Sequence, residues 1–134
     1  MDYSLLIQKA VEAKKFAYAP YSNFKVGAAL LTTDGKIYTG CNIENSSYGL
    51  TICAERTAIF KAMSEGKRKF SAIAISGDTD NYLTPCGACR QIIFDHCGNI
   101  DIVLINKNLD QKIFSTNDLL PLAFGDSDLK SNRK

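Results

Sequence analysis

Two cysteines lie three positions apart behind a proline in the stretch TPCGACRQ, residues 84–91. Zinc clips, redox pairs and disulfide scaffolds all use cysteines at this spacing. The chain has five cysteines, an odd number, and charged residues interrupt its first twenty positions, so we expect neither a disulfide framework nor a signal peptide. In the reducing cytoplasm, Cys86 and Cys89 are therefore expected to bind a metal or to act in catalysis.

A zinc site needs at least one more ligand, because tetrahedral sites take three or four from Cys, His, Asp or Glu. Cys53 opens a predicted helix in the stretch TICAERTAI, and the N-terminus of a helix favours a thiolate. Cys97 lies eight residues beyond Cys89, roughly 12 Å along the same helix, so it is not expected to share the metal. We expect Cys41 in the core and His96 at an exposed helix end.

Three thiolates leave Zn²⁺ with a net charge of −1 and an open coordination position, which a catalytic zinc keeps for water. Glu55 follows Cys53 by two residues and is the predicted proton carrier. Arg56 can reach the sulfurs and balance their charge. A redox pair has no use for the distant Cys-Ala-Glu, and a structural zinc knuckle usually has a second cysteine pair. The set therefore predicts a catalytic zinc.

Helices alternating with strands must position these residues. A helix over residues 3–18 precedes a hairpin, VGAALLTT and KIYTGCN, which turns at Asp34-Gly35. A second helix over 52–65 begins at the Cys53 stretch, and a third over 86–97 begins at the cysteine pair.

Three further segments complete the predicted sheet. FSAIAISG and DIVLIN are expected as buried strands, and QKIFS as an antiparallel return strand because KNLD is too short for a crossover. A short helical turn near 117–120 and an irregular tail follow. The pattern predicts an α/β sandwich around one mixed sheet, in a single domain of residues 1–134.

Composition excludes several classes of function. The chain is 46% apolar and 22% charged, which is typical of a globular protein. A net charge of +2 is too small to indicate a nucleic-acid or membrane surface, and no stretch approaches the roughly 20 apolar residues of a membrane span. We expect a small-molecule substrate, with no nucleic acid and no membrane as partner.

Several stretches resemble one family. CAE at 53–55 with PCGACRQ at 85–91 is similar to the signature of zinc nucleoside deaminases, in which three cysteines and a glutamate are a known arrangement. Three longer stretches resemble the small homotetrameric zinc-dependent cytidine deaminases: YAPYSNFKVGAALL, GCNIENSSYGLTICAERTAI and LLPLAFGDSDL. The resemblance spans nearly the whole chain. It implies a three-layer α/β/α sandwich with a five-stranded mixed sheet whose last strand is antiparallel.

The resemblance also implies substrate-binding roles within one chain. Phe24 would pack beside the nucleoside. Asn42 and Glu44 would hydrogen-bond the sugar hydroxyls. The backbone of Ala54 and the side chain of Glu55 would contact the pyrimidine edge. Without the family, Phe24 would be interpreted as a core aromatic and the stretch NIEN as a turn.

Two more residues would come from neighbouring subunits of the homotetramer. These are Tyr48 and Phe124, with Phe124 stacking on the base. The loop NSSYG departs from the family, since Ser46 and Ser47 stand where relatives often carry Ala or Cys. This departure leaves the named ligands intact.

The implied activity is hydrolytic deamination of cytidine and 2′-deoxycytidine to uridine and 2′-deoxyuridine, with release of ammonia, in pyrimidine salvage, with one zinc per chain. A blasticidin-S-type aminopyrimidine nucleoside deaminase remains an alternative because it shares the zinc motifs. A polynucleotide deaminase is disfavoured because the first ligand is Cys and no basic-aromatic channel is evident. A non-catalytic zinc-stabilised module is disfavoured by Glu55 and the open coordination position.

Overall fold

Five strands form one mixed sheet in the computed structural model, which describes residues 2–131. The strands are β1 (Val26–Thr32), β2 (Ile37–Cys41), β3 (Phe70–Gly77), β4 (Asp101–Ile105) and β5 (Gln111–Ser115). Their order is β2-β1-β3-β4-β5, with β3 and β4 parallel and the other neighbours antiparallel. The predicted mixed sheet with an antiparallel last strand is confirmed.

Helices cover both faces of this sheet. They are α1 (Ser4–Ala13), α2 (Ala54–Ser64), α3 (Gly87–Cys97), α4 (Thr116–Leu119) and α5 (Asp126–Ser131). Alternate strand residues face opposite layers: Ala29, Ala74 and Val103 pack with α1, whereas Leu30, Ile75 and Leu104 pack with α2 and α3. This arrangement is the predicted three-layer sandwich.

Small residues let α1 and α2 lie close to the sheet. A Cβ placed on Gly27 would lie 2.1 Å from the Ala10 carbonyl oxygen, so α1 rests on the backbone of β1. A Cβ on Gly40 would lie 2.5 Å from both the Ala54 oxygen and the Ala58 nitrogen. The first turns of α2, which carry the predicted chemistry, therefore lie directly on β2.

The predicted hairpin is confirmed. β1 and β2 pair from Gly27 with Cys41 to Leu31 with Ile37, and Gly35 adopts a φ of +90°, which glycine tolerates better than other residues. The Asp34 carboxylate accepts a hydrogen bond from the Thr32 hydroxyl.

The first helix is shorter than predicted. The α-helix ends at Ala13, a 3₁₀ turn covers Lys14–Phe16, and Ala17 is extended rather than on the helical face. The cause is pairing at long range: Tyr18 N–H donates to the Asn42 carbonyl at 3.0 Å, and Glu44 N–H donates to the Tyr18 carbonyl at 2.8 Å. These bonds require an extended backbone at residues where the apolar pattern predicts that the helix continues.

The second and fourth predicted helical segments shift by small amounts. α2 begins at Ala54 rather than at residue 52, because Ile52 exchanges backbone hydrogen bonds with Ile43 at 3.0 Å. The short turn predicted near 117–120 is α4, which a reciprocal Ser115–Asp118 capping box starts one residue earlier.

The tail was predicted to be irregular, and that prediction is wrong. Residues 126–131 form α5, with Asp126 and Asp128 in the first turn, where carboxylates are favourable. The Asp128 carboxylate accepts a hydrogen bond from Gly125 N–H at 2.8 Å and so caps the helix. Among residues 2–131, every helix falls short of the length and apolarity that a membrane crossing requires.

Candidate metal centre

Three cysteine sulfurs converge where α2 and α3 begin. The Sγ atoms of Cys53, Cys86 and Cys89 all lie within 4.8 Å of one another, and the part of the chain that the structure describes holds no second group of this kind. Cys53 and Cys86 are the N-cap residues of their helices, and the Cys86 sulfur accepts a hydrogen bond from the Cys89 N–H at 3.4 Å. Two positive helix ends therefore face one cluster of thiols.

The local sequence explains how Cys53 is held. The Thr57 hydroxyl lies one turn into α2 and contacts two carbonyl oxygens, those of Cys41 at 3.2 Å and Cys53 at 3.3 Å. These contacts join the start of α2 to the end of β2. Together with the close approach at Gly40, they fix where the first sulfur lies.

The charge balance of the cluster fits a bound metal. Hydrogen bonding from Cys89 lowers the pKa of the Cys53 thiol to about 6, and the same hydrogen bond, followed by burial, raises the pKa of Cys89. Hydrogen bonding to Cys89 raises the pKa of Arg56, and its buried Nε has no hydrogen-bond partner among the described residues. A partly buried arginine beside three sulfurs is suited to a net-negative zinc thiolate cluster, and thiolates are ligands that Zn²⁺ accepts readily.

Glu55 lies beside this cluster, on the first turn of α2. Its residue is only 6% exposed, and burial raises the pKa of its carboxyl above the ordinary value. A carboxyl with a raised pKa is suited to take up and release protons near neutral pH. This arrangement agrees with the predicted role but does not test it.

A cavity of about 210 Å³ opens beside the cluster. Its lining includes Phe24, Asn42, Ala54 and Glu55, together with the sulfur ligands Cys53 and Cys86. The structure therefore brings four of the predicted substrate or catalytic residues to one cavity. Sequence reasoning missed the five other lining residues: Val26, Thr51, Ile52, Leu83 and Thr84. Leu83 and Thr84 precede Pro85 directly, and that adjacency was the available signal.

Asn42 and Glu44 also shape the loop before β1. The Asn42 side chain accepts a hydrogen bond from Val26 N–H at 2.9 Å and donates one to the Phe24 carbonyl at 2.7 Å. The Glu44 carboxylate accepts from the N–H groups of Tyr21 and Ser22 and from the Ser22 hydroxyl, and that last bond contributes most to lowering its pKa.

These bonds hold the loop and the Phe24 backbone at the cavity. Each side chain retains further donor or acceptor capacity for a ligand. Glu44 is not part of the cavity lining, so its predicted contact with a sugar stays a prediction.

Tyr48 and Phe124 lie away from the cavity of their own chain. They are 70% and 58% exposed, and neither belongs to its lining. Phe124 instead lines a second cavity, of about 330 Å³, together with Gln91 and Asp95 on α3. Both side chains are therefore available to another molecule, as their predicted roles require.

The remaining cysteines and the histidine stand outside the cluster, as expected. Cys97 is partly buried against the core, where burial raises its pKa to about 12. Cys41 is also only partly buried, at the end of β2. His96 is exposed, and its ring contacts Phe60 edge-on with 6.1 Å between centroids.

Comparison with known proteins agrees with this geometry. Residues 1–105 match the family described as the cytidine and deoxycytidylate deaminase zinc-binding region. A relative named cytidine deaminase, from Sporosarcina psychrophila, is 52% identical over 130 residues that cover 96% of each chain.

Solved structures extend the comparison to the fold. The crystal structure of cytidine deaminase from Burkholderia pseudomallei has 52% identity and a TM-score of 0.89, over 92% of this chain and 100% of that one. Cytidine deaminase from Mycobacterium tuberculosis has 41% identity and a TM-score of 0.82, over 93% of this chain and 98% of that one. The predicted resemblance and its zinc cofactor are thereby confirmed: the chain belongs to the zinc-binding family of cytidine and deoxycytidylate deaminases.

Proposed function

We propose that this protein deaminates cytidine and 2′-deoxycytidine by hydrolysis, giving uridine and 2′-deoxyuridine with release of ammonia. The observation that carries the proposal is the convergence of three cysteine sulfurs beside the buried Glu55, at the wall of one cavity. Relatives over 96% of the chain that are named cytidine deaminase support this choice of substrate.

Cys53, Cys86 and Cys89 would hold one zinc ion per chain. When bound, zinc supplies a Lewis acid that lets water act as a nucleophile near neutral pH. Three thiolates donate more charge than imidazoles and weaken that effect, so a cation beside them is useful. Arg56 lies against the sulfurs and offsets their negative charge.

Glu55 is the proposed proton carrier. It takes a proton from the attacking water and delivers it to N3 of the pyrimidine while the new bond forms at C4. It then carries the proton of the new C4 hydroxyl to the amino group, so that the C4 carbonyl forms as the C–N bond breaks and ammonia leaves. Burial raises the pKa of the Glu55 carboxyl, which favours its uptake of each proton.

Residues of the same chain would position the nucleoside. Phe24 packs beside it, Asn42 and Glu44 bond the sugar hydroxyls, and the Ala54 backbone contacts the pyrimidine edge. Sugar contacts remote from C4 can supply binding energy that orients the reacting carbon. A nucleoside is therefore the expected substrate, rather than the free base.

A homotetramer would complete each site, with Tyr48 and Phe124 contributed by neighbouring subunits. Large apolar side chains are exposed on the surface around the loops at 16–21 and 43–52, including Phe16, Tyr18, Tyr21, Tyr48 and Leu50. Such patches are typical of association surfaces. The cavity of about 210 Å³ is also smaller than the roughly 300–1,000 Å³ of most ligand sites, which supports a missing wall. Each chain would form one domain, residues 1–134, acting in the cytoplasm in pyrimidine salvage.

Ammonia release from five candidate substrates tests the proposal. The zinc-loaded protein should release ammonia from cytidine and deoxycytidine, and little or none from cytosine, blasticidin S or a cytosine-containing oligonucleotide. Faster release from blasticidin S than from cytidine would show that the protein is a blasticidin-S-type deaminase instead. No release from any of them, by protein with full zinc content, would leave a zinc-stabilised module without turnover.

A further inference from the structure

Two neighbouring side chains of α3 hold the segment that carries Phe124. Arg90 Nη1 donates to the Leu119 carbonyl at 2.8 Å, and Gln91 Nε2 donates to the Phe124 carbonyl at 2.7 Å. We call residues 119–125 the C-terminal segment. Its two ends are therefore bonded to consecutive positions of one helix.

The middle of this segment is strained. Leu122 has a φ of +53° and is fully exposed, at 104%. A non-glycine residue in the left-handed region is unfavourable, and it persists only where the surrounding structure imposes it. Because Leu122 packs against nothing, the hydrogen bonds at the ends of the segment are the interactions available to impose it.

The backbone directly after Phe124 is also fixed by contacts with α3. A Cβ on Gly125 would lie 2.6 Å from the Phe94 ring, so the Gly125 backbone rests on a third side chain of α3. The Gly125 N–H also caps α5 through Asp128. Yet the Phe124 residue itself is 58% exposed. A fixed backbone with an exposed aromatic ring presents that ring to something outside its own chain.

The same helix also carries the predicted zinc ligands. α3 begins after Cys86 and includes Cys89 in its first turn, and Arg90 Nε donates to the Pro85 carbonyl at 2.7 Å. Arg90 thus contacts the loop at the metal centre and the C-terminal segment at once. The Gln91 side chain donates to the segment and also to its helix neighbour Asp95, whose carboxylate it reaches at 3.1 Å.

We propose that Gln91, together with Arg90, is a positioning residue that sets the place of Phe124 for the site of a neighbouring copy. The inference rests on the proposed function and on its shared site. Gln91 is not one of the three clustered cysteines and does not line the cavity beside them. It acts by fixing the Phe124 carbonyl, so a change at Gln91 should alter substrate binding in the same way as a partial loss of Phe124.

The test compares Gln91→Met with Gln8→Met in zinc-loaded protein. Methionine keeps the length of the side chain and cannot donate. Gln8 is a matched control because it also donates to an acid four residues later, Glu12, at 3.1 Å, on an exposed face of α1 far from the cavity. Losing the hydrogen bond to the Phe124 carbonyl predicts a KM for cytidine raised about 2- to 10-fold in Gln91→Met, because loss of the bond to the acidic neighbour is matched in Gln8→Met. The turnover number, the zinc content and all Gln8→Met values should stay near wild type.

A double-mutant cycle with Phe124→Ala shows whether Gln91 acts through Phe124. Once the ring is gone, Gln91→Met should change KM little further. Additive effects of the two substitutions, or a KM in Gln91→Met equal to that of Gln8→Met, would overturn the proposal. If Gln91→Met is insoluble, the test uses Gln91→Asn instead, in which the amide is one methylene shorter and cannot reach the Phe124 carbonyl. A wild-type protein that releases no ammonia from cytidine would instead refute the proposed function itself.

Discussion

Helix α3 carries Cys89 in its first turn and holds the backbone of Phe124 on its outer side, yet the two residues are buried to opposite degrees. Cys89 is 0% exposed among sulfurs of its own chain, whereas Phe124 is 58% exposed and lies away from its own cavity. The three sulfurs that would hold the metal therefore all come from one chain. The exposed ring of Phe124 is available to a second molecule, which the proposed homotetramer would supply.

Removing a sulfur from the metal centre should have the largest effect. Cys89→Ala leaves two thiols, which do not make a stable zinc site, and metal binding in such a centre is also folding energy. We expect loss of zinc by elemental analysis, together with a clearly lowered melting temperature. Cys97→Ala is the matched control on the same helix and should retain about one zinc per chain. Zinc loss in the control, or full zinc in Cys89→Ala, would place the metal elsewhere.

Changing the proton carrier should separate chemistry from metal binding. Glu55→Gln keeps the shape of the side chain but cannot carry a proton, so cytidine turnover should fall by at least roughly 10²–10⁴-fold. Zinc content should stay the same. Glu12→Gln, on the exposed face of α1, should leave turnover unchanged. Near-normal turnover in Glu55→Gln would remove this residue from the mechanism.

The smallest effect is expected from a substitution on the α1 side of the sheet, which is remote from the metal centre and from Phe124. The Tyr3 hydroxyl donates to Asp101 at 2.6 Å, and burial, followed by that hydrogen bond, raises the pKa of Tyr3 to about 12. A raised tyrosine pKa stabilises the fold below the ordinary value near 10, and the contribution is lost as pH rises through about 12.

Tyr3→Phe should therefore lower the free energy of unfolding by about 1 kcal/mol at pH 8. The difference from wild type should shrink between pH 10 and 12, measured by denaturant titration. Zinc content and cytidine turnover at pH 8 should not change. A difference that is independent of pH would show that the hydroxyl's ionisation is not linked to folding.

Local patterns predicted the metal centre well. Cys53, Cys86 and Cys89 were found because cysteine spacing and the start of a helix are both visible along the chain, and Glu55 and Arg56 follow within one turn. The strands followed from apolar runs, and the hairpin followed from Asp34-Gly35, whereas the order of the strands in the sheet was not predicted.

The failures concern interactions between distant segments. The end of α1 depends on hydrogen bonds from Tyr18 to residues 42 and 44, which no local pattern reveals. The helix after Gly125 rests on the distant Phe94 ring, although its cap from Asp128 is only three residues along the chain and is a local signal that was overlooked. The hydrogen bonds of Asn42 and Glu44 with the loop before β1 were also missed, because they join segments far apart in sequence. In addition, the family resemblance assigned these two residues only to the substrate.

The central claim is that one chain supplies Glu55 and the metal while another supplies Phe124, and mixing two impaired variants tests it most directly. Glu55→Ala and Phe124→Ala are dissociated, combined and reassembled, and mixed oligomers are verified by mass spectrometry. A Phe124→Ala chain keeps its own Glu55 and can receive an intact ring from a Glu55→Ala neighbour, so some sites become complete. The account predicts cytidine turnover above the average of the separately treated parents. Turnover no higher than that average, in confirmed mixed oligomers, would contradict this claim. Phe124 would then act only within its own chain.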